Sequence, residues 1–154
     1  MNTDRIERET LIAATLERVW QVLTHPGSWI GEADPAGFEL REGETYVFAM
    51  GEARVHQRAV KIEPMRYISY RWAPYPIFGG VEPREGNSTL VEFTLSQEEA
   101  GVRLRVVESG YDALDASEEL RRKGLEGNAN GWDGALADVK QRAESPPAPN
   151  PPSP

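Results

Sequence analysis

The spacing of apolar residues changes three times along this chain, from alternating to helical after residue 12, to alternating again near residue 37, and back to helical after residue 117. Residues 5–12 (R-I-E-R-E-T-L-I) read as an opening strand of imperfect alternation, with Ile6 and Ile12 on one parity and Leu11 on the other. Leu16, Val19, Trp20 and Leu23 then recur at helical intervals. Thr15 precedes them as the N-cap candidate, Glu17 stands in the first turn, and His25-Pro26-Gly27 ends the helix. Ser28-Trp29-Ile30-Gly31 reads as a second, short helical turn.

From residue 37 the period becomes two. Tyr46, Phe48 and Met50 alternate with Thr45, Val47 and Ala49. A polar strand at 52–62 follows, in which Val60 and Ile62 share parity with Arg54, His56 and Arg58. Pro64 marks a turn, and Ile68, Tyr70 and Trp72 resume the alternation. A loop rich in proline and glycine, roughly 73–86, leads to a strand at 88–95 with Thr89, Val91, Phe93 and Leu95 on one side. After a turn at Gln97 to Gly101, the strand 102–109 sets Val102, Leu104, Val106 and Glu108 on one side. Connections of this length suit hairpins and a meander.

Asp115 or Ser117 then caps a long terminal helix, Asp115-x-x-Glu118 having the form of a capping box. Leu125, Ala129, Trp132, Leu136 and Val139 share one face of it. Gly124, Gly127, Gly131 and Gly134 form a stripe beside that face, each costing about 0.5–1 kcal/mol against alanine. Such a helix reads either as a lid that leaves space along its bare stripe, or as one packed tightly against a neighbour or simply weak at its surface. A run of strands bracketed by helices predicts an α+β fold with the helices on one face of an antiparallel sheet.

Composition narrows the possibilities. The 154 residues suit one domain, residues 1–144, followed by a disordered proline-rich tail at 145–154 that holds six prolines. A passive tail is the simpler reading of that segment, and a ligand for a proline-recognition domain is the alternative. Cysteine is absent, which removes disulfides, thiolate metal sites and a cysteine nucleophile. The charged start M-N-T-D-R-I-E-R-E-T has no signal-peptide apolar region, so the cytoplasm is the expected location. Seventeen basic against 25 acidic residues give a net charge of −8, which argues against nucleic acid as a partner. Arg121-Arg122-Lys123 is short and reads as a solvated helix turn. Two histidines without H-E-x-x-H give no metal signal, and no cofactor is expected: no nucleophile elbow, Walker loop or dinucleotide fingerprint occurs.

Several pieces together resemble a known family. They are Ala13-Ala14-Thr15-Leu16-Glu17-Arg18-Val19-Trp20, Trp29-Ile30-Gly31, Tyr70-Arg71-Trp72, the hairpin Thr89–Leu95 with Gly101-Val102-Arg103-Leu104, then Glu108-Ser109-Gly110-Tyr111, and Gly131-Trp132 followed by Leu136 and Val139. In order and spacing they resemble the START-like superfamily (SRPBCC, polyketide cyclase/dehydrase and lipid transport), and within it the activator of heat-shock protein 90 ATPase family. The resemblance spans residues 5–142. It implies a helix-grip fold: a curved antiparallel sheet of six or seven strands around the long C-terminal helix, two short helices after the first strand, and an apolar cavity between sheet and terminal helix. Ile30 stands where that family commonly has an aromatic residue, and the prolines between Tyr75 and Gly86 are atypical.

Parity combined with that fold turns Tyr46, Phe48, Tyr70, Trp72, Phe93 and Trp132 toward the cavity, as ligand contacts or as plain core. Three polar residues stand on expected inward parity. Glu108 continues the face of Val102, Leu104 and Val106, where it either pairs with Arg58, holds a ligand's hydroxyl or amine, or fixes the following loop near solvent. His56 and Arg58 continue the face of Val60 and Ile62, His56 being either a proton-transfer group or structural. A β-bulge in 52–62 reverses both assignments. No nucleophile–base–acid set emerges. Three functions stay open: enclosure of a small hydrophobic or amphipathic molecule, a cyclase-type enzyme using Tyr70, His56 or Glu108, and a chaperone-associated module. The missing catalytic set weighs against the second, and the third, which rests on the family name, ranks last. Neither the ligand nor the oligomeric state is encoded in any motif, and membrane insertion is not expected.

Overall fold

In the computed structural model, residues 4–25, 39–50, 53–79 and 81–145 are described. Their element order is β1 (Arg5–Ile12), α1 (Leu16–Leu23), β2 (Thr45–Met50), β3 (Ala53–Glu63), β4 (Tyr67–Trp72), α2 (Tyr75–Phe78), β5 (Thr89–Glu98), β6 (Gly101–Ser109), a 3-10 turn at Tyr111–Ala113, and α3 (Glu118–Glu144). The strands form one six-stranded antiparallel sheet in the order β1-β6-β5-β4-β3-β2. β2 to β6 are a meander, and β1 returns to pair along β6 from Arg5↔Ser109 to Ile12↔Val102. This is the expected α+β helix-grip architecture, with α3 packed along β1 and touching α1 and α2.

Alternation explains the strands. Val91, Phe93 and Leu95 of β5 and Val102, Leu104 and Val106 of β6 are all buried on one face. Each such side chain contributes about 1.5–3 kcal/mol relative to exposure. The helices close over that face with Val19, Val22 and Leu23 of α1 and Trp132, Leu136 and Val139 of α3. Thr15 caps α1 by accepting from the Arg18 amide at 3.2 Å. Of the two cap candidates for α3, Ser117 holds the position, its hydroxyl accepting from the Leu120 amide at 3.2 Å, with Glu118 and Glu119 in the first turn where the helix dipole favours them. The expected second helical turn at Ser28–Gly31 and the tail beyond Ser145 lie outside the described residues.

Three details position the site. First, the register of β3 shifts between Ala59 and Lys61. Before this bulge the inward residues are Val55, Gln57 and Ala59; beyond it Ile62 packs against the core. Val60 is 48% exposed, so the expected inward face of β3 is the outer one as far as residue 60, and His56 and Arg58 lie on the side away from the core. Second, the 73–86 loop contains a helical turn, α2, whose Ile77 presses on α3. A Cβ on Gly124 would stand 2.5 Å from Ile77 Cδ1. Third, the rest of the glycine stripe faces outward: Gly127, Gly131 and Gly134 are exposed, and a Cβ on Gly131 or Gly134 would have open space around it. The stripe therefore divides into one close approach and a weak solvent-facing surface.

At Gly101 the hairpin between β5 and β6 runs against the end of β1. Its φ is +149°, and a Cβ there would lie 2.1 Å from the Ile12 carbonyl oxygen, so only glycine fits. Among the described residues no helix is long and apolar enough to cross a membrane, and no group of histidine, aspartate or glutamate is arranged to hold a metal ion.

Candidate functional site

Glu108 is fully buried on the inner face near the end of β6, between Ile6 of β1 and Val91 of β5. Four side chains donate to its carboxylate. Thr89 Oγ1 (2.6 Å) and Trp72 Nε1 (2.7 Å) reach Oε2, and Trp132 Nε1 (2.9 Å) reaches Oε1. Asn128 Nδ2 lies 3.2 and 3.3 Å from the two oxygens and also donates to the Tyr111 hydroxyl at 2.8 Å. Among the described residues no cation pairs with Glu108. Neutral dipoles from β4, β5 and α3 hold it, and that donor set suits an ionised carboxylate, which only accepts. The Tyr111 hydroxyl is pushed well up by burial and by the Glu108 charge beside it.

Trp72 and Trp132, joined through Glu108, also pack against each other at a tilt of 34°, their ring centres 5.6 Å apart. Phe93 meets Trp132 edge-on at 5.6 Å, and Tyr70 meets Trp72 edge-on at the same distance. These four rings lead from Glu108 to a small cavity on the same face. Leu23 of α1, Leu40, Tyr46, Gln57, Ala59, Ile68, Tyr70 and Phe93 line it, and about 10 Å³ is open within it. None of these residues comes from α3; the cavity lies between the sheet and the end of α1.

Two of its polar groups have no partner among the described residues: Gln57 Nε2 and the Tyr70 hydroxyl. Both residues are buried, with 4% and 6% exposure. Burial first, and the Glu108 charge second, push the Tyr70 hydroxyl well above its ordinary value, so it stays a hydroxyl donor across neutral pH. An unsatisfied buried polar group costs about 1–3 kcal/mol, which makes two of them at one cavity an uncommon arrangement.

Of the residues expected to face the cavity, Tyr46, Tyr70 and Phe93 line it, while Trp72 and Trp132 serve Glu108. Tyr46 is at the rim, its hydroxyl accepting from the Arg41 amide at 2.7 Å and reaching Glu44 Oε2 at 2.9 Å. The side chain of Phe48 lies outside the described residues. His56 and Arg58 are on the opposite face, so the expected Glu108–Arg58 pair does not form, and Arg58 instead donates to the Pro83 carbonyl at 3.2 Å. Sequence reasoning missed Gln57, Thr89 as a donor, Asn128 and Tyr111. Asn128 carried a usable signal: it stands four residues before Trp132, a polar residue at the edge of an apolar helical face.

The sequence pattern described as "Activator of Hsp90 ATPase homolog 1-like protein" matches residues 13–144. The chain belongs to that family. Its members' fold recurs among solved structures. The protein MLL2253 from Mesorhizobium loti superposes with a TM-score of 0.69 at 21% identity, over 90% of this chain and 95% of the other. The Aha1 dimer from Colwellia psychrerythraea gives 0.69 at 20% identity, over 91% and 96%. DynU16, a putative protein in the dynemicin biosynthetic locus, gives 0.71 at 18% identity, over 92% of this chain and 48% of its own. At these identities the likeness concerns the fold. None of the curated proteins matches the chain in sequence.

Proposed function

We propose that this member of the family binds a small, largely apolar molecule carrying a hydrogen-bond acceptor, at the cavity between the sheet and α1. The observation that supports this most is the pair of unpartnered donors, Gln57 Nε2 and the Tyr70 hydroxyl, facing a wall of Leu23, Leu40, Ile68 and Phe93. A ketone, ester or amide oxygen would satisfy both donors, while the rest of the ligand covers apolar surface. The open volume of about 10 Å³ accommodates roughly one water, so a larger ligand enters by displacing the side chains of Leu23 and Leu40. A proton-transfer role for Glu108 has less support: four donors occupy its oxygens, and it is not among the residues that line this cavity.

The test is a thermal-shift screen of apolar carbonyl compounds against the unaltered protein, Gln57→Leu and Tyr70→Phe. A ligand present at a hundred times its Kd stabilises by about 2.7 kcal/mol, or roughly 5–10 °C in a chain of this length. Both variants should be at least as stable as the parent without ligand, because each removes an orphaned polar group, and both should bind at least tenfold more weakly. Absence of any stabilising compound among lipids, aromatics and polyketide-like ketones would sink the proposal. So would binding indifferent to both substitutions.

A further inference from the structure

The outer face of the sheet carries a second concave site, and its chemistry is the opposite of the first. Arg58 of β3 and Arg71 of β4 are direct cross-strand partners, both half-buried. Like charges placed opposite one another on adjacent strands repel, their Cβ atoms being about 4.5–5.5 Å apart. Arg84, from the loop before β5, joins them around an open cavity of about 390 Å³. Among the described residues none of the three arginines forms an ion pair, and the protein as a whole is acidic, with a net charge of −8. Three arginines thus line one cavity where the charge balance of the chain gives no general reason for them.

The loop bearing Arg84 is held firmly. Buried Asn87 accepts from the Arg84 amide at 2.7 Å and donates to the Glu82 carbonyl at 3.1 Å. The Asp115 amide donates to the Gly86 carbonyl at 2.7 Å, and Arg58 Nη2 donates to the Pro83 carbonyl at 3.2 Å. Ser88 and Gly86 complete the lining with Ala113, and the single carboxylate there is Glu85, exposed to solvent. The cations are therefore presented on two strands and a braced loop, with one acid against three bases.

We propose that Arg58, Arg71 and Arg84 form a binding site for a small soluble phosphorylated molecule bearing at least two negative charges. Guanidinium forks match phosphate oxygens in bidentate geometry, and an anion between Arg58 and Arg71 removes the repulsion that the bare pair carries. The site is independent of the inner cavity, since it lies on the other face of the sheet.

Isothermal titration of the full chain with inorganic pyrophosphate tests this, against chloride at matched ionic strength. The expected result is saturable binding with Kd below about 1 mM, weakened by added salt and at least tenfold weaker in Arg58→Gln and Arg71→Gln. Arg84→Gln, in an exposed side chain, should also bind at least tenfold more weakly, and it keeps the test decisive if a strand variant folds poorly. With no anion present, Arg71→Gln should melt no lower than the parent. No saturable binding at 10 mM pyrophosphate (on the order of ten times the expected Kd), binding unchanged in Arg84→Gln, or binding to phosphatidic acid vesicles without binding to pyrophosphate would each overturn the proposal.

Discussion

Replacing Glu108 by glutamine changes one oxygen to an amide and leaves the side-chain volume almost unaltered, so its effect reads the hydrogen bonding alone. In the better orientation the amide oxygen takes the Oε2 position and keeps Thr89 and Trp72, at 2.6 and 2.7 Å in the parent. The amide NH₂ then faces the Trp132 indole N–H, which stands 2.9 Å from Oε1, so two donors oppose each other in a dry core. One orphaned buried donor costs about 1–3 kcal/mol. The retained bonds lose their charge assistance, about 1 kcal/mol for each of the two strongest. Relief of the buried charge works the other way. Because every lone-pair direction is already occupied by a donor, that relief offsets only part of the loss. The expected net destabilisation is about 3 kcal/mol, which lowers the melting temperature by roughly 6–12 °C.

Guanidinium and thermal unfolding followed by far-ultraviolet circular dichroism measure this, with tryptophan fluorescence reporting on Trp72 and Trp132. A cycle with Trp132→Phe isolates the pair: the two changes should be markedly less than additive, since each removes the same bond. If Glu108→Gln equals or exceeds the parent in stability, the four donors do not act together on an ionised carboxylate.

Helix α3 offers a contrast within one stripe. Gly131→Ala and Gly134→Ala, each in open space, should raise stability by about 0.5–1 kcal/mol by denaturant unfolding. Gly124→Ala should instead lower it by about 1 kcal/mol, since its Cβ would lie 2.5–2.6 Å from the Ile77 side chain. Alkaline titration should expose the buried tyrosines. The hydroxyls of Tyr70 and Tyr111 are raised in the folded state, so their contribution is whole below the unfolded value near 10 and is lost progressively as the pH climbs from there toward the folded values. Stability measured from pH 9 to 11 should therefore fall, and fall less in Tyr70→Phe; an unchanged slope in that variant would contradict the assignment.

The strands and the long helix were legible because each buries one face. Val91, Phe93 and Leu95, then Val102, Leu104 and Val106, display period two without interruption, and Leu125 to Val139 display the helical period. β3 misled for a physical reason. Its inward set is Val55, Gln57, Ala59 and Ile62, whereas Val60 and Ile62 advertise the other parity. One inserted residue exchanges the faces, and nothing in the local composition marks it. Glu108 was legible as an inward acid, but its donors stand 19 to 36 residues away along the chain, on β4, β5 and α3. Partners at such separations follow from register and helix rotation together. Cavity position was illegible for the same reason, since Gln57 entered it only through the bulge.

Polar groups on the inner face are satisfied unevenly, and the unevenness is what favours the proposed site. Donors are not scarce in this core: Glu108 gathers two indoles, a hydroxyl and an amide, and Asn128 serves both Glu108 and Tyr111. Two buried polar atoms nevertheless go without a described partner a few ångströms of aromatic packing away, through Trp72 to Tyr70. A core selected for stability alone would place leucine at 57 and phenylalanine at 70, each removing a penalty of about 1–3 kcal/mol. Keeping Gln57 and Tyr70 is understandable if their partner arrives from outside. Glu108 then has a role that needs no chemistry of its own, because by tying Trp72 and Trp132 it fixes the aromatic wall against which Tyr70 is oriented. The carboxylate anchors the framework, and the two unsatisfied donors face the cavity proposed to take the ligand.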